Sequence, residues 1–351
     1  PTNATSVTFD IVFDAAVDVL TFDGADIDLS ASTVGGTLSS VITTSSLNPF
    51  ASQFTLTVTG MSGEGLVIPV VTAGGATDAS GEVNDASTSI DNEVTFDNLA
   101  PSVTINQGAL QNDPTNVPSI VFDILFSEDV VGFGSGNIDF TGTTASVFGS
   151  VVIQNGPGDY TLTVFLNPGE GDVVVSIQAG EVTDVIGNLN VASTFTDNSV
   201  HFDDVAPMVT VNQASTQTDA GYGSTVKFDV VFSESVVGFV ASPAQMSFAG
   251  STATGSFTTS VSGSGAAYVV TVSGFTAGGT VVANILGGSV ADTAGNFNVA
   301  STSTDNNVTL INSGTVQFSA PTYTVNENGT TATITVTRTG GTEGELKVDY
   351  A

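Results

Sequence analysis

The sequence predicts an all-β chain of tandem two-sheet modules, and three observations carry that reading. Apolar and polar residues alternate over short runs, turn-forming residues part those runs at intervals of roughly 8–12 residues, and the whole pattern recurs along the chain. The recurrence is specific. LAPSVTINQ from Leu99 returns as VAPMVTVNQ from Val205, 106 residues further on. FDIVFDAAV from Phe9, FDILFSEDV from Phe122 and FDVVFSESV from Phe228 form a second set. TDASGEVN from Thr77, TDVIGNLN from Thr183 and ADTAGNFN from Ala291 form a third, each followed by an Asp-Asn pair at Asp91, Asp197 and Asp305. The steps from Leu99 to Val205, Phe122 to Phe228 and Thr77 to Thr183 share one spacing, and the remaining steps stay close to it, which indicates tandem copies of a single unit.

Within the unit the elements follow in order. After Ala100-Pro101 comes a first strand, VTINQ. Next, Phe122, Ile124 and Phe126 alternate with Asp123 and Leu125, and further on Tyr160, Leu162 and Val164 alternate with Thr161 and Thr163. A period of two is the signature of a half-buried strand, because successive side chains point to opposite faces. Gly, Asn, Asp and Pro fill the gaps, and no segment carries a helical stripe. Seven or so strands in about 100 residues imply an immunoglobulin-like β-sandwich, a fold that does not by itself imply a function. The modules are read as 1–98, 99–204 and 205–312, with a different unit from 313 to 351. Pro1-Thr2-Asn3 aligns with Pro114-Thr115-Asn116, so the first module lacks the counterpart of residues 99–113, its whole first strand. An unpaired ladder and an open core are expected there. Either the strand precedes residue 1 in a longer polypeptide, which is the expectation, or another copy donates it by strand exchange.

Composition narrows the function. The 351 residues hold 35 Asp and Glu against 3 Lys and Arg, a formal charge of −32. Lys227, Arg338 and Lys347 cannot neutralise a run of phosphates, so nucleic acid is excluded as a partner. Docking on an anionic membrane face is disfavoured for the same reason, and no apolar run is long enough for direct membrane insertion. With 40% hydrophobic residues and 22 Phe, the chain has apolar surface enough to fold. It has no Cys, so it offers neither disulfides nor thiolate metal sites. The single His, His201, falls on the outward phase of a strand where its sister copies have Thr95 and Thr309. It is read as a solvated strand residue, and without nucleophile–base pairs the chain is read as no enzyme.

The repeated carboxylates fall at turns, and strand direction says where those turns lie. If the strand after Ala100-Pro101 runs from the top of a module to its bottom, the FDILF strand returns Glu128 to the top. Continued alternation leaves the turn around Glu170 at the bottom and the loop of Asp184 at the top. At the first junction Glu64, Asp97, Asn98, Glu128 and Asp184 then converge. At the second the set is Glu170, Asp203, Asp204, Glu234 and Asp292. Carboxylates gathered without basic partners repel one another, and a hard divalent cation resolves this. Ca²⁺, which takes six to eight oxygens in flexible geometry, suits the set better than Mg²⁺. At the third junction the aligned positions read Ile311 and Asn312, and Gly278 replaces Glu170, so both halves of the site vanish together. A further candidate at the top of the first module combines Asp14 with Asp78, although Ala15 stands where Glu128 aligns. The bland reading is that Asp and Asn are ordinary turn formers and that acidic surfaces keep proteins soluble.

The junctions FDNLAP and FDDVAP resemble the acidic linkers of cadherins, and the repeats, through FSE and the Asp-x-x-Gly-Asn string, resemble bacterial Ig-like repeats of large surface proteins. From Gly314 onward, Val-x-Glu followed by a Thr-rich alternating strand ending in Arg resembles the opening of a Calx-beta domain. That resemblance implies a calcium-binding role for Glu327. Together the resemblances imply a calcium-stiffened stalk or filament of a secreted or surface-attached bacterial adhesin, with calcium and the neighbouring modules as partners. The alternatives are a carbohydrate-binding accessory region of a secreted hydrolase, and a self-assembling fibre or surface layer built by strand exchange.

Overall fold

A computed structural model of the chain describes residues 1–311, 313–341, 344–345 and 347–348. The protein is all-β, and its helical content among the described residues is two 3-10 turns, Gly24–Asp26 and Ser135–Asn137. Buried apolar side chains gather in three clusters, each drawn from one stretch of chain: Val7 to Phe96, Val103 to Phe202, and Val209 to Leu310.

The middle stretch illustrates the construction. Its larger sheet runs in the order Val147–Gly156, Asp159–Leu166, Ser119–Phe126, Val103–Gln107, Thr194–Asp197, with only the last pair parallel. Opposite lies the pair Glu170–Val174 and Ser199–Asp203, to which Thr115 adds by a parallel bridge to Phe202. Ile120, Phe122, Ile124, Leu162 and Val164 from the first sheet meet Val173, Val200 and Phe202 from the second in one core. The alternation that predicts these strands is therefore the alternation that buries them. Each fully buried Phe or Leu contributes about 2–3 kcal/mol of transfer free energy.

The third stretch repeats the plan, with Val209–Gln213, Thr225–Phe232, Ala267–Ala277 and Thr254–Ser264 in one sheet. The first differs. Its sheet has three strands, Ser6–Asp18, Phe50–Ser62 and Gly35–Thr43. On the outer edge of Ser6–Asp18, Val17 bridges Asp78, and among the described residues no strand pairs with its Ser6 to Val12 stretch from that side. Thr2 still makes the parallel bridge, to Phe96, that Thr115 makes to Phe202. Past the third core, Thr315–Phe318 pairs with Val336–Thr339, and most of the residues around this pair are exposed.

A close approach fixes one glycine of the repeat. Gly65, Gly171 and Gly279 each follow the turn position of Glu64, Glu170 and Gly278, and all have positive φ. An added Cβ would come within 2.5, 2.6 and 2.6 Å of the backbone nitrogens of Val34, Ala145 and Ala253 respectively. Only glycine lets the two chain segments meet so closely.

Candidate metal centres

Two sets of carboxylates meet where one stretch gives way to the next. Asp97, at the end of the Val94–Asp97 strand, comes together with Glu128, just beyond Ser119–Phe126, and with Asp184. Asp203, Glu234 and Asp292 form the matching group. In each group one oxygen from every carboxylate lies within 4.8 Å of the others, and these are the two groups able to hold a metal ion among the described residues. The two Asp of each group are buried and the Glu is half-buried. Antiparallel registers bring a fourth carboxylate alongside, with Glu64 opposite Asp97 and Glu170 opposite Asp203.

Local backbone chemistry holds these groups in place. The Oδ1 of Asp184 accepts from the backbone N–H of Ile186, Gly187 and Asn188 at 2.6–2.9 Å, and its Oδ2 accepts from the Asn188 side chain at 2.8 Å. Asp292 is held likewise by the N–H of Gly295 and Asn296 and by the Asn296 amide. The turn needs glycine at its fourth position, where Gly187 and Gly295 have φ of +98° to +100°. Asp97 Oδ1 accepts from Leu99 N–H and Asp203 Oδ1 from Val205 N–H, both at 2.9 Å.

The electrostatics follow from that crowding. Burial, then the neighbouring charges of Asp184, Asp97 and Glu64, push the Glu128 carboxyl above its ordinary range. Burial, then Asp203, Asp292 and Glu170, push Glu234 up to about 6. Asp184 differs: burial acts to raise it, but the hydrogen bonds from Asn188, Ile186 and Gly187 outweigh burial and hold it below the usual range. The charges acting on Glu128 and Glu234 are all negative.

The remaining sequence candidates sit elsewhere. Asn98 and Asp204 each hold a neighbouring turn. Their Oδ1 atoms accept from the N–H of Gly63 and Gly169 at 2.9 and 2.8 Å, clamping the turns that carry Glu64 and Glu170. Asp78 accepts from the Ser80 hydroxyl and from the N–H groups of Glu82 and Ser80 within its own turn, and those bonds, the hydroxyl's first, hold its carboxyl below the usual range. Asp14 is exposed on the irregular part of the Ser6–Asp18 strand. Glu327 is exposed at a turn. None of the three joins a metal-capable group among the described residues. At the third junction Ile311 closes a strand, and Asn312 lies outside the described residues.

Two features escape a reading of the sequence by residue type. Asn188 donates to the backbone carbonyl of Asp97 at 3.0 Å, and Asn296 to that of Asp203 at 2.7 Å, so each side chain stitches one stretch to the next beside the carboxylates. The repeated Gly-Asn of the third string is the signal that marks them. The other is His201, half-exposed as its phase predicts, which places Nδ1 2.8 Å from Asp172 and Nε2 3.7 Å from Glu170. The hydrogen bond to Asp172 raises the imidazole above its ordinary value.

Compared with known proteins, the sequence matches no protein-family model and no curated protein. No helix among the described residues is long and apolar enough to cross a membrane.

Proposed function

We propose that the chain is a structural spacer, a segment of a stalk or filament in a large secreted or surface-attached bacterial adhesin, stiffened by Ca²⁺ at its first two junctions and catalysing no reaction. The observation that carries the reading is the meeting of Asp97 with Glu128 and Asp184, and of Asp203 with Glu234 and Asp292, across the boundaries between successive cores. Repeated carboxylates scattered for solubility would not assemble twice, each time with two buried Asp, at equivalent points.

The donor set fits a divalent cation. Four carboxylates, all oxygen donors, with one Glu in each set protonating more readily than an ordinary Glu, describe a site short of positive charge. Asp97, Glu128 and Asp184, with Glu64 alongside, would hold the first ion. Asp203, Glu234 and Asp292, with Glu170 alongside, would hold the second. An ion held by residues of two modules resists their bending relative to each other. The absence of any nitrogen or sulfur ligand favours Ca²⁺ or Mg²⁺ over transition metals, and the flexible Glu positions favour Ca²⁺. The likeness of FDNLAP and FDDVAP to cadherin linkers points the same way.

Each module would span about 35–40 Å, from strands of some ten residues at ~3.4 Å per residue, so the array would hold a distal binding domain away from its anchor. Small-angle scattering tests this. Calcium should lengthen and narrow the distribution of interatomic distances, and chelator should broaden it. A maximum dimension that calcium leaves unchanged would count against rigidification.

A further inference from the structure

One face of the second module departs from the repeat. The outward residues of its larger sheet lie in rows across the strands. Val151, Thr163 and Val121 form one row, flanked by Ile153, Thr161 and Asp123 on one side and by Gly149, Phe165 and Ser119 on the other. Four of these residues are apolar: Phe165, Val121, Val151 and Ile153. The same registers in the third module place Ser273, Lys227, Ser260 and Ser262 at those positions. In the first module they place Thr59, Thr8, Val41 and Thr43, with Val41 the one apolar member. Outward side chains add nothing to the module's own core, so the fold does not require apolar residues there.

The strip is open to water. Phe148, Val151 and Ile153 are 66, 41 and 55% exposed. Phe148 stands at a bulge between Val147 and Gly149. Its ring stacks on that of Phe165, with centroids 6.0 Å apart and planes at 28°. With Val121, these side chains leave roughly 400 Å² of apolar surface in solvent, the size of patch that marks an interaction site.

We infer that this face is the contact surface for a second copy of the chain, the two sheets meeting face to face about a two-fold axis. Charge selects the occupant. At −32 the chain repels its own copies wherever acidic surfaces meet. Residues 140–158 carry no charged side chain, and Asp123 is the one charged residue in the three rows. Two copies can therefore approach here with least repulsion, whereas a polyanion finds no cation and a basic partner finds a single carboxylate. The strip is also self-complementary. An axis laid along the Val121–Thr163–Val151 row, in the plane between the sheets, sets Ile153 of one copy over Gly149 and Phe148 of the other. It sets Asp123 over Ser119 rather than over its own image. About 800 Å² of apolar surface buried in total falls below the standard size of a stable interface, so the pair is weak and reversible. This inference rests on the outer face alone and stands whether or not the junctions bind calcium.

The test is sedimentation equilibrium of the whole chain at physiological salt, from micromolar to about millimolar protein. The expected result is a reversible monomer–dimer equilibrium with a dissociation constant of roughly 0.1–1 mM. Phe148→Ser with Ile153→Ser should weaken it at least tenfold and leave thermal unfolding unchanged, because both side chains lie mostly in water within a module. If that double variant unfolds early, Ile153→Thr, which copies the aligned Thr43, should weaken the pair by about threefold. Leu20→Ser, at a side chain 88% exposed in the first module, should leave association as it was. A chain that stays monomeric at every concentration, a double variant that pairs as tightly as the parent, or an equal loss in Leu20→Ser would overturn the inference. So would a monomer whose Phe148 and Ile153 NMR signals move on titration with a soluble glucan oligosaccharide, since the face would then belong to a sugar.

Discussion

Glu234→Gln should change stability in opposite directions with and without calcium. With chelator present at neutral pH, Glu234 is an unbalanced negative charge. Holding its carboxyl at about 6 rather than the ordinary 4.5 corresponds to about 2 kcal/mol of burial and repulsion. The side chain is only partly buried, so solvent screening reduces this to about 1 kcal/mol. Gln keeps the shape and removes the charge, so the chelated variant should be the more stable, by about 4–8 °C in the unfolding transition of a module of this size. Calcium reverses the comparison. At a free concentration a hundred times its dissociation constant, a bound ion stabilises the unsubstituted protein by about 2.7 kcal/mol. Losing one of four carboxylates should weaken binding by about tenfold or more, and the same calcium then contributes only about 1.4 kcal/mol. Differential scanning calorimetry in chelator and in calcium reads both effects, with Glu128→Gln as the parallel case at the first junction. The reasoning fails if Glu234→Gln destabilises the chelated protein, or if calcium stabilises variant and parent equally.

Other consequences concern pH, the stitching amides and the cores. A carboxyl raised in the folded state binds its proton more tightly than in the unfolded chain, so its contribution is most favourable below 4.5. Chelated protein should therefore lose stability as pH rises from 4.5 through about 6 at Glu234, with Glu128 acting in the same direction, and calorimetry across that window reads the slope. Calcium affinity should fall as pH drops through the same window, which titration calorimetry reads. Asn188→Ala removes hydrogen bonds to the Asp97 carbonyl and the Asp184 carboxylate and should cost about 2 kcal/mol in denaturant unfolding. Phe122→Ala should cost about 3–5 kcal/mol. Phe9→Ala should cost clearly less, about 1–2 kcal/mol, because its ring is already partly in water.

Much of the architecture could be read from residue patterns, since a period of two both defines a strand and sets its buried face. Phe122, Ile124, Phe126, Tyr160, Leu162 and Val164 are all buried, as their phase requires. The assembly of Asp97 with Glu128 and Asp184 was legible for a related reason, because strand direction alone decides which turns share an end of a module. The finer ligand set was not. The hydrogen bonds by which Asn98 and Asp204 close the Gly63 and Gly169 turns could not be read from residue type, because they depend on where the chain returns. Asp78 accepts bonds within its own loop as Asp184 and Asp292 do, but Ala15 stands where their groups have Glu128 and Glu234, and it joins no metal-capable group among the described residues. Asn188 and Asn296 act through amide donors to a carbonyl in the preceding module, and such a contact becomes visible only once the two modules are in place.

The central claim is that the two carboxylate clusters are cation sites and that the third junction is not. Titration calorimetry of the whole chain with calcium tests it most directly. Two equivalents should bind, Asp97→Asn should abolish one of them, Asp203→Asn the other, and the double variant both. Calcium binding that is absent, or that survives the double variant undiminished, would contradict the account.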